Sequence, residues 1–209
     1  DPASEHLLSV TPGKAVTYGF ARDADVVVES FQPDRQGAAL TVRAWGSPLQ
    51  LRTSLYGRPN ASNIAAAVGA AMSLGIPAGA VAAGVAGLRG VPGRLESVDV
   101  GQSFSVYVDY AHTDDALANT LKTVQELHPR RLIAVFGCGG DRDAGKRGDM
   151  GRVAGKEADV VIVTNDNPRG ERPSDIADAV LAGTRSTSVE VHCILSRAGK
   201  PAVDPAQDA

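Results

Sequence analysis

Two short apolar runs constrain this chain most. Residues 132–136 read LIAVF and residues 160–163 read VVIV, with no polar alternation in either. A strand of that kind needs cover on both faces, which is the habit of a parallel sheet between helices. Each run leads into a polar segment, GCGGDRD from 137 and NDNPR from 165. Helical spacing follows each segment. The pattern predicts strands over 94–100, 104–110, 131–136, 159–164 and 189–195. It predicts helices over 114–127, roughly 148–157, and 174–182. Strands alternating with helices define an α/β domain with a mostly parallel, Rossmann-like sheet and flanking helices.

The preceding part has a different texture. Strands are predicted over 15–20, 25–31, 38–44 and 49–55, separated by Gly, Pro and Asp turns, as an antiparallel meander. Two Ala-rich helices follow, over 60–74 and 77–88, the second with Pro77 in its first turn. The segment RGVPG at 89–93 breaks both periods and marks a boundary. The expected organisation is a domain over 1–92, a second over 93–196, and a disordered tail over 197–209.

Composition narrows the function. A chain of 209 residues supports one domain or two small ones. Lys and Arg number 21 against 24 Asp and Glu, a net charge of -3, which argues against a nucleic-acid partner. No apolar run approaches the roughly 18 residues of a membrane span, so no membrane partner is expected. Cys138 and Cys193 are too few for a disulfide framework and fit a reducing cytoplasm.

In a parallel α/β sheet, ligands bind beyond the carboxyl ends of the strands. Chemistry is therefore expected in 109–112, 137–142 and 165–169. Arg142 follows a strand end in a Gly-rich loop, where a guanidinium can grip a carboxylate through two parallel hydrogen bonds. Asp166, Asn167 and Arg169 offer an acid, an amide and a base within four residues. That set suits a zwitterion: the Arg takes its carboxylate and the Asp its ammonium. A turn reading of the Asn-Pro pair stands beside it. Residues 140–146 have the G-x-x-x-x-G-K spacing of a phosphate loop. However, Arg147 stands where such a loop needs Ser or Thr, and Asp141 and Asp143 would repel phosphate. His112 has no companion to suggest catalysis, Cys138 has no histidine near it in sequence, and no grouping has zinc-ligand spacing.

Three motifs occur in order: VDYAHTDDAL at 108–117, FGCGGDRDAGKR at 136–147 and TNDNPR at 164–169. With GRPNASN at 57–63 and GRLE at 93–96, they resemble the C-terminal part of a Mur ligase. The branch they resemble adds the third residue of the peptidoglycan stem peptide. The likeness runs from about residue 17 to about residue 196. It implies a first domain that is the end of the family's central ATPase domain, and a second that is most of its amino-acid-binding domain. It implies ATP and Mg²⁺ as cofactors, with sites largely outside this chain. The implied partners are UDP-MurNAc-L-Ala-D-Glu, meso-diaminopimelate and missing N-terminal domains of the same protein. The implied reaction phosphorylates a carboxylate and lets an amine attack the acyl phosphate. Asn60, Arg94, Asp109 and His112 fall where the family contacts the nucleotide. Arg142, Asp166, Asn167 and Arg169 fall where it reads the amino acid, and the DNPR form resembles the branch that selects meso-diaminopimelate over lysine.

The sequence departs from the family in places. Pro59 replaces an aromatic and Asp114 replaces a proline. The AGK at 198–200 lacks the remainder of the family's late AGKGHE loop. No segment before Gly57 supplies the family's phosphate loop, so these residues alone are expected neither to hydrolyse nor to transfer phosphate. Two other readings use the same residues: a stand-alone amino-acid-binding or interaction module, and a lysine-adding or folylpolyglutamate-type ligase.

Overall fold

The structure, a computed structural model, describes residues 2–195. The tail expected at 197–209 and the AGK at 198–200 lie outside the described residues. The chain forms two compact units, 1–108 and 109–209. Their boundary falls later than the breaker cluster at 89–93. Among the described residues no helix is long and apolar enough to cross a membrane.

The first unit opens with a helix that periodicity did not announce, α1 (Pro2–Val10). Its Leu7, Leu8 and Val10 stay exposed, so no buried stripe marks it in sequence. The Ser9 and Thr11 hydroxyls donate to His6 O and Leu7 O, satisfying carbonyls at the end of the helix. A four-stranded sheet follows in the order β1 (Tyr18–Gly19), β2 (Val26–Asp34), β3 (Gly37–Ala44), β4 (Ser47–Thr53). The last three strands form the expected antiparallel meander. β1 instead runs parallel to β2, pairing Tyr18 with Val26. Asp25 ties the intervening loop, because its carboxylate accepts the Thr17 N–H at 2.8 Å and the Thr17 hydroxyl at 2.9 Å.

Two helices complete this core, α2 (Arg58–Ser73) and α3 (Ala78–Gly87). Ala61, Ile64, Ala65 and Val68 of α2 share one apolar cluster with Val26, Val28, Leu40 and Val42. Pro59 lies in the first turn of α2, where its missing N–H removes no helical bond, so this departure is compatible with the helix start. The sequence reading counted the next two strands in the α/β pattern. They form instead a separate antiparallel hairpin, β5 (Glu96–Val98) with β6 (Val106–Val108). The hairpin belongs to the first unit because Tyr107 packs edge-on against Tyr56, with ring centroids 5.1 Å apart. Tyr56 donates its hydroxyl to Arg35 O, and burial chiefly pushes its phenol up to about 12.

The second unit is built on three parallel strands in sequential order, β7 (Ile133–Phe136), β8 (Val160–Thr164) and β9 (Glu190–Ile194). Three helices accompany them, α4 (Asp114–Gln125), α5 (Gly145–Glu157) and α6 (Pro173–Thr184). Ala134, Val161 and Val163 join Leu117, Leu121, Met150, Ala154, Ile176 and Val180 in one core. All three helices thus feed the same cluster. Ile133, Val135 and Ile194 remain exposed while Val160 on the same face is buried, so the expected cover on both faces is only partial on one of them among the described residues. α5 and α6 touch backbone to backbone. A Cβ on Gly151 would overlap Val180 O, and one on Gly183 would overlap Gly148 O.

Candidate functional site

The loops that follow β7 and β8 leave the carboxyl ends of neighbouring parallel strands. Glycine lets them meet. A Cβ on Gly137 would overlap Thr164 O, and one on Gly140 would overlap Pro168 O. Hydrogen bonds then knit the loops together. Gly140 N–H donates to Asn167 O at 2.9 Å, and the Arg169 guanidinium donates back to Gly140 O at 2.8 Å. Gly170 N–H donates to the Asp141 carboxylate at 2.9 Å, and Asp141 N–H to the Glu171 carboxylate at 2.6 Å.

The side chains expected to read an amino acid sit on this joined pair. Arg142, Asp166, Asn167 and Arg169 are all exposed. A Cβ on Gly139 would come within 2.8 Å of the Arg169 guanidinium and 3.6 Å of the Asp166 carboxylate. The bare glycine therefore lets the Arg169 cation and the Asp166 anion approach the same point of the loop, charges of the two signs that a zwitterion needs. Asn167 is partly committed, since its side-chain oxygen accepts Arg169 N–H at 3.3 Å.

Sequence reasoning missed the residues underneath. Arg147 is buried, with 5% of its side chain exposed, and grips both carboxylate oxygens of Glu171 at 2.7 and 2.8 Å. Its guanidinium also donates to Gly139 O at 3.3 Å. A signal was present. Arg147, Met150, Gly151 and Ala154 share the buried face of α5, so a cation stands on an apolar stripe and demands a buried partner. Arg147 and the Asp141 N–H hold the Glu171 carboxyl down at about 2, against an ordinary value of 4.5. A carboxyl lowered by folding stabilises the protein fully above its unfolded value, and that contribution disappears as pH falls from about 4.5 towards 2. Melting temperatures across that window are expected to fall less steeply for Glu171→Gln than for the wild type. Parallel curves would contradict this.

The G-x-x-x-x-G-K segment forms no phosphate cradle. Asp143 accepts Gly145 N–H at 2.9 Å, Lys146 donates to His112 O at 2.7 Å, and Arg147 is spent on Glu171. Cys138 is buried against Met150, and burial pushes its thiol up, which suits packing and not nucleophilic attack.

The residues expected at a nucleotide divide between the units. Asn60 and Arg94 belong to the first, Asp109 and His112 to the second. Asn60 donates to Tyr56 O at 2.8 Å and accepts from Asn63 at 3.3 Å, closing the start of α2. Arg94 is exposed in the turn before β5. Asp109 accepts Ala111 N–H at 2.9 Å and the Thr120 hydroxyl at 3.0 Å, which fix its carboxylate at the entry to α4. The exposed His112 ring packs edge-on to Tyr110, with Nδ1 3.1 Å from Tyr110 O. Thr113 caps α4 by accepting Ala116 N–H at 3.2 Å. Asp114 takes the first helical position, where its charge suits the helix dipole as a proline's fixed φ would suit the turn. Among the described residues no group of three or more His, Cys, Asp or Glu gathers as a metal site would.

The second unit is an α/β domain of parallel strands, with basic and acidic side chains beyond the carboxyl ends of two of them. Residues 93–206 match the Mur ligase, glutamate ligase domain. The chain belongs to the Mur ligase family. It is 43% identical over 183 residues to the UDP-N-acetylmuramoyl-L-alanyl-D-glutamate--2,6-diaminopimelate ligase of Geobacillus kaustophilus, covering 88% of this chain and 37% of the relative. The ligase of the same name from Geobacter metallireducens is 44% identical over 186 residues, covering 89% and 36%. A solved structure of a ligase of that name is 34% identical, with a TM-score of 0.62 over 93% of this chain and 40% of its own. The Thermotoga maritima UDP-N-acetylmuramate-alanine ligase shares the fold, with a TM-score of 0.74 at 24% identity over 94% and 41%. The chain thus spans little more than a third of the length of the curated relatives it matches.

Proposed function

We propose that this chain supplies the amino-acid-reading part of an ATP-dependent ligase that joins meso-diaminopimelate to UDP-MurNAc-L-Ala-D-Glu. The observation that carries the reading is the joined pair of loops after β7 and β8, with Arg142, Asp166, Asn167 and Arg169 exposed upon it. Asp166 takes an ammonium and Arg169 a carboxylate beside Gly139. Meso-diaminopimelate ends in a second carboxylate, which Arg142 and Arg169 clamp. Lysine leaves those guanidiniums unpaired, and a site built for a charged group rejects an analogue that lacks it.

In such a ligase ATP would supply the phosphoryl group that activates the acceptor carboxylate, with ADP leaving, and phosphate would leave when the amine attacks. Asp109, fixed by Ala111 and Thr120, and the Tyr110–His112 pair fit the ribose side of such a nucleotide. Among the described residues no cluster of three or more carboxylates gathers to hold a Mg²⁺ ion by itself.

Calorimetric titration of the 209-residue chain tests the reading. Meso-diaminopimelate is expected to bind at least about tenfold more tightly than L-lysine, and Arg142→Ala is expected to erase the difference. Equal affinities in the wild type, or a preference that survives Arg142→Ala, would overturn it.

A further inference from the structure

We infer that Arg147, Glu171 and Asp141 act as positioning residues: together they clamp the two loops so that the Arg142 and Arg169 guanidiniums are presented in fixed register. The inference rests on the reading of those loops as an amino-acid site. Arg147 is a poor choice for stability. It sits on the face of α5 that also buries Met150 and Ala154, where an aliphatic residue packs without desolvating a charge. Its Nε is buried with no hydrogen-bond partner, so the cation is not even fully satisfied. What Arg147 does, and an aliphatic residue cannot, is reach both loops at once. It holds Gly139 O of the first and the Glu171 carboxylate beyond the second.

Asp141 makes the reverse connection. Its N–H goes to Glu171 and its carboxylate receives Gly170 N–H, so one residue is strapped to the facing loop from both ends. Asp141 precedes Arg142, and Gly170 follows Arg169. The strap therefore sets the chain direction at both binding arginines. Backbone strain falls at the same places. Asp141 and Arg169 hold left-handed φ values of 50° and 49°. Non-glycine residues persist there only where their surroundings over-determine them, and here the surroundings are this clamp. Asp141 and Glu171 spend their carboxylates on Gly170 N–H and on Arg147, and Arg147 is buried, so each acts through the loops it holds.

Amide hydrogen exchange combined with meso-diaminopimelate titration tests the clamp. In Glu171→Ala the Asp141 and Gly170 amides are expected to exchange about tenfold faster, the equivalent of one net hydrogen bond lost. Val161 and Val163 in β8 should stay within about twofold of wild type, as distant sites do. Affinity for meso-diaminopimelate should fall about tenfold in parallel, and Glu171→Gln, which keeps an acceptor for Asp141 N–H, should recover part of both losses. Asp141→Ala leaves the buried Arg147–Glu171 pair intact and decides the matter if Glu171→Ala does not fold. It should free the Gly170 amide and weaken binding, whereas Asp141→Asn, which tolerates the left-handed region, should do less. Unchanged loop exchange in these variants, or loosened loops with wild-type affinity, would overturn the clamp. Should the wild type fail to bind meso-diaminopimelate at all, the ligand reading falls, and the exchange data alone judge the clamp.

Discussion

Gly183→Ala is expected to destabilise the second unit by about 3 kcal/mol, the upper part of the range for overpacking a filled core. The added Cβ would overlap Gly148 O and lie 2.9 Å from Arg152 N, both backbone atoms of α5. No side chain can swing aside, so the helices must separate. α5 carries Met150 and Ala154 into the core, and α6 carries Ile176, Ala177 and Val180. Separation would open that whole interface. Against this stands the helical gain of alanine over glycine, only about 0.5–1 kcal/mol, so the clash wins. Gly84→Ala in α3 is the control. Nothing lies within 4 Å of its would-be Cβ, and the same gain should appear there as increased stability. Chemical denaturation of both variants checks the pair. A Gly183→Ala protein as stable as wild type would mean that α5 and α6 are not in backbone contact.

Gly140→Ala is expected to remove meso-diaminopimelate binding, by a factor on the order of 100, while leaving the sheet folded. The would-be Cβ overlaps Pro168 O and reaches 2.6 Å from Pro168 C. Gly140 is also hydrogen-bonded on both sides to the facing loop, to Asn167 O and from the Arg169 guanidinium. Displacement at Gly140 therefore moves the loop that carries Arg142 away from the loop that carries Asp166 and Arg169, and a misplacement of about 1 Å is enough for a loss of that size. Gly145→Ala provides the contrast. Its nearest neighbour is the Asp143 carboxylate at 3.2 Å, a side chain that can shift, so affinity should stay within about twofold. Calorimetry on both variants separates the outcomes, and retained binding in Gly140→Ala would show that close approach of the loops is not required.

Much of the second unit was legible in the chain. Strands expected over 131–136, 159–164 and 189–195 appear as β7, β8 and β9, and the helix expected over 114–127 appears as α4. Their apolar periods are local properties, which a sequence carries in full. The loops that hold Arg142 and Arg169 were legible for the same reason, since they follow strand ends. The pairing of β5 with β6, and of β1 parallel to β2, was not. A strand's period says which face is buried but not which neighbour it pairs with. α1 escaped because a helix with exposed leucines leaves no stripe to read.

The candidate site divides along the same line. Sequence alone named the residues proposed to grip a zwitterion, because charge, donors and chain order are written in it. Only the tertiary structure decided that Arg169 and Asp166 flank Gly139, and that Arg147 and Glu171 hold the loops from beneath. Arg147 and Glu171 lie on different elements, and their meeting depends on how α5 packs beside the loop after β8. A one-dimensional pattern shows a buried cation as an anomaly. Its partner becomes visible only when distant segments share a core, where an unpaired charge costs too much to remain.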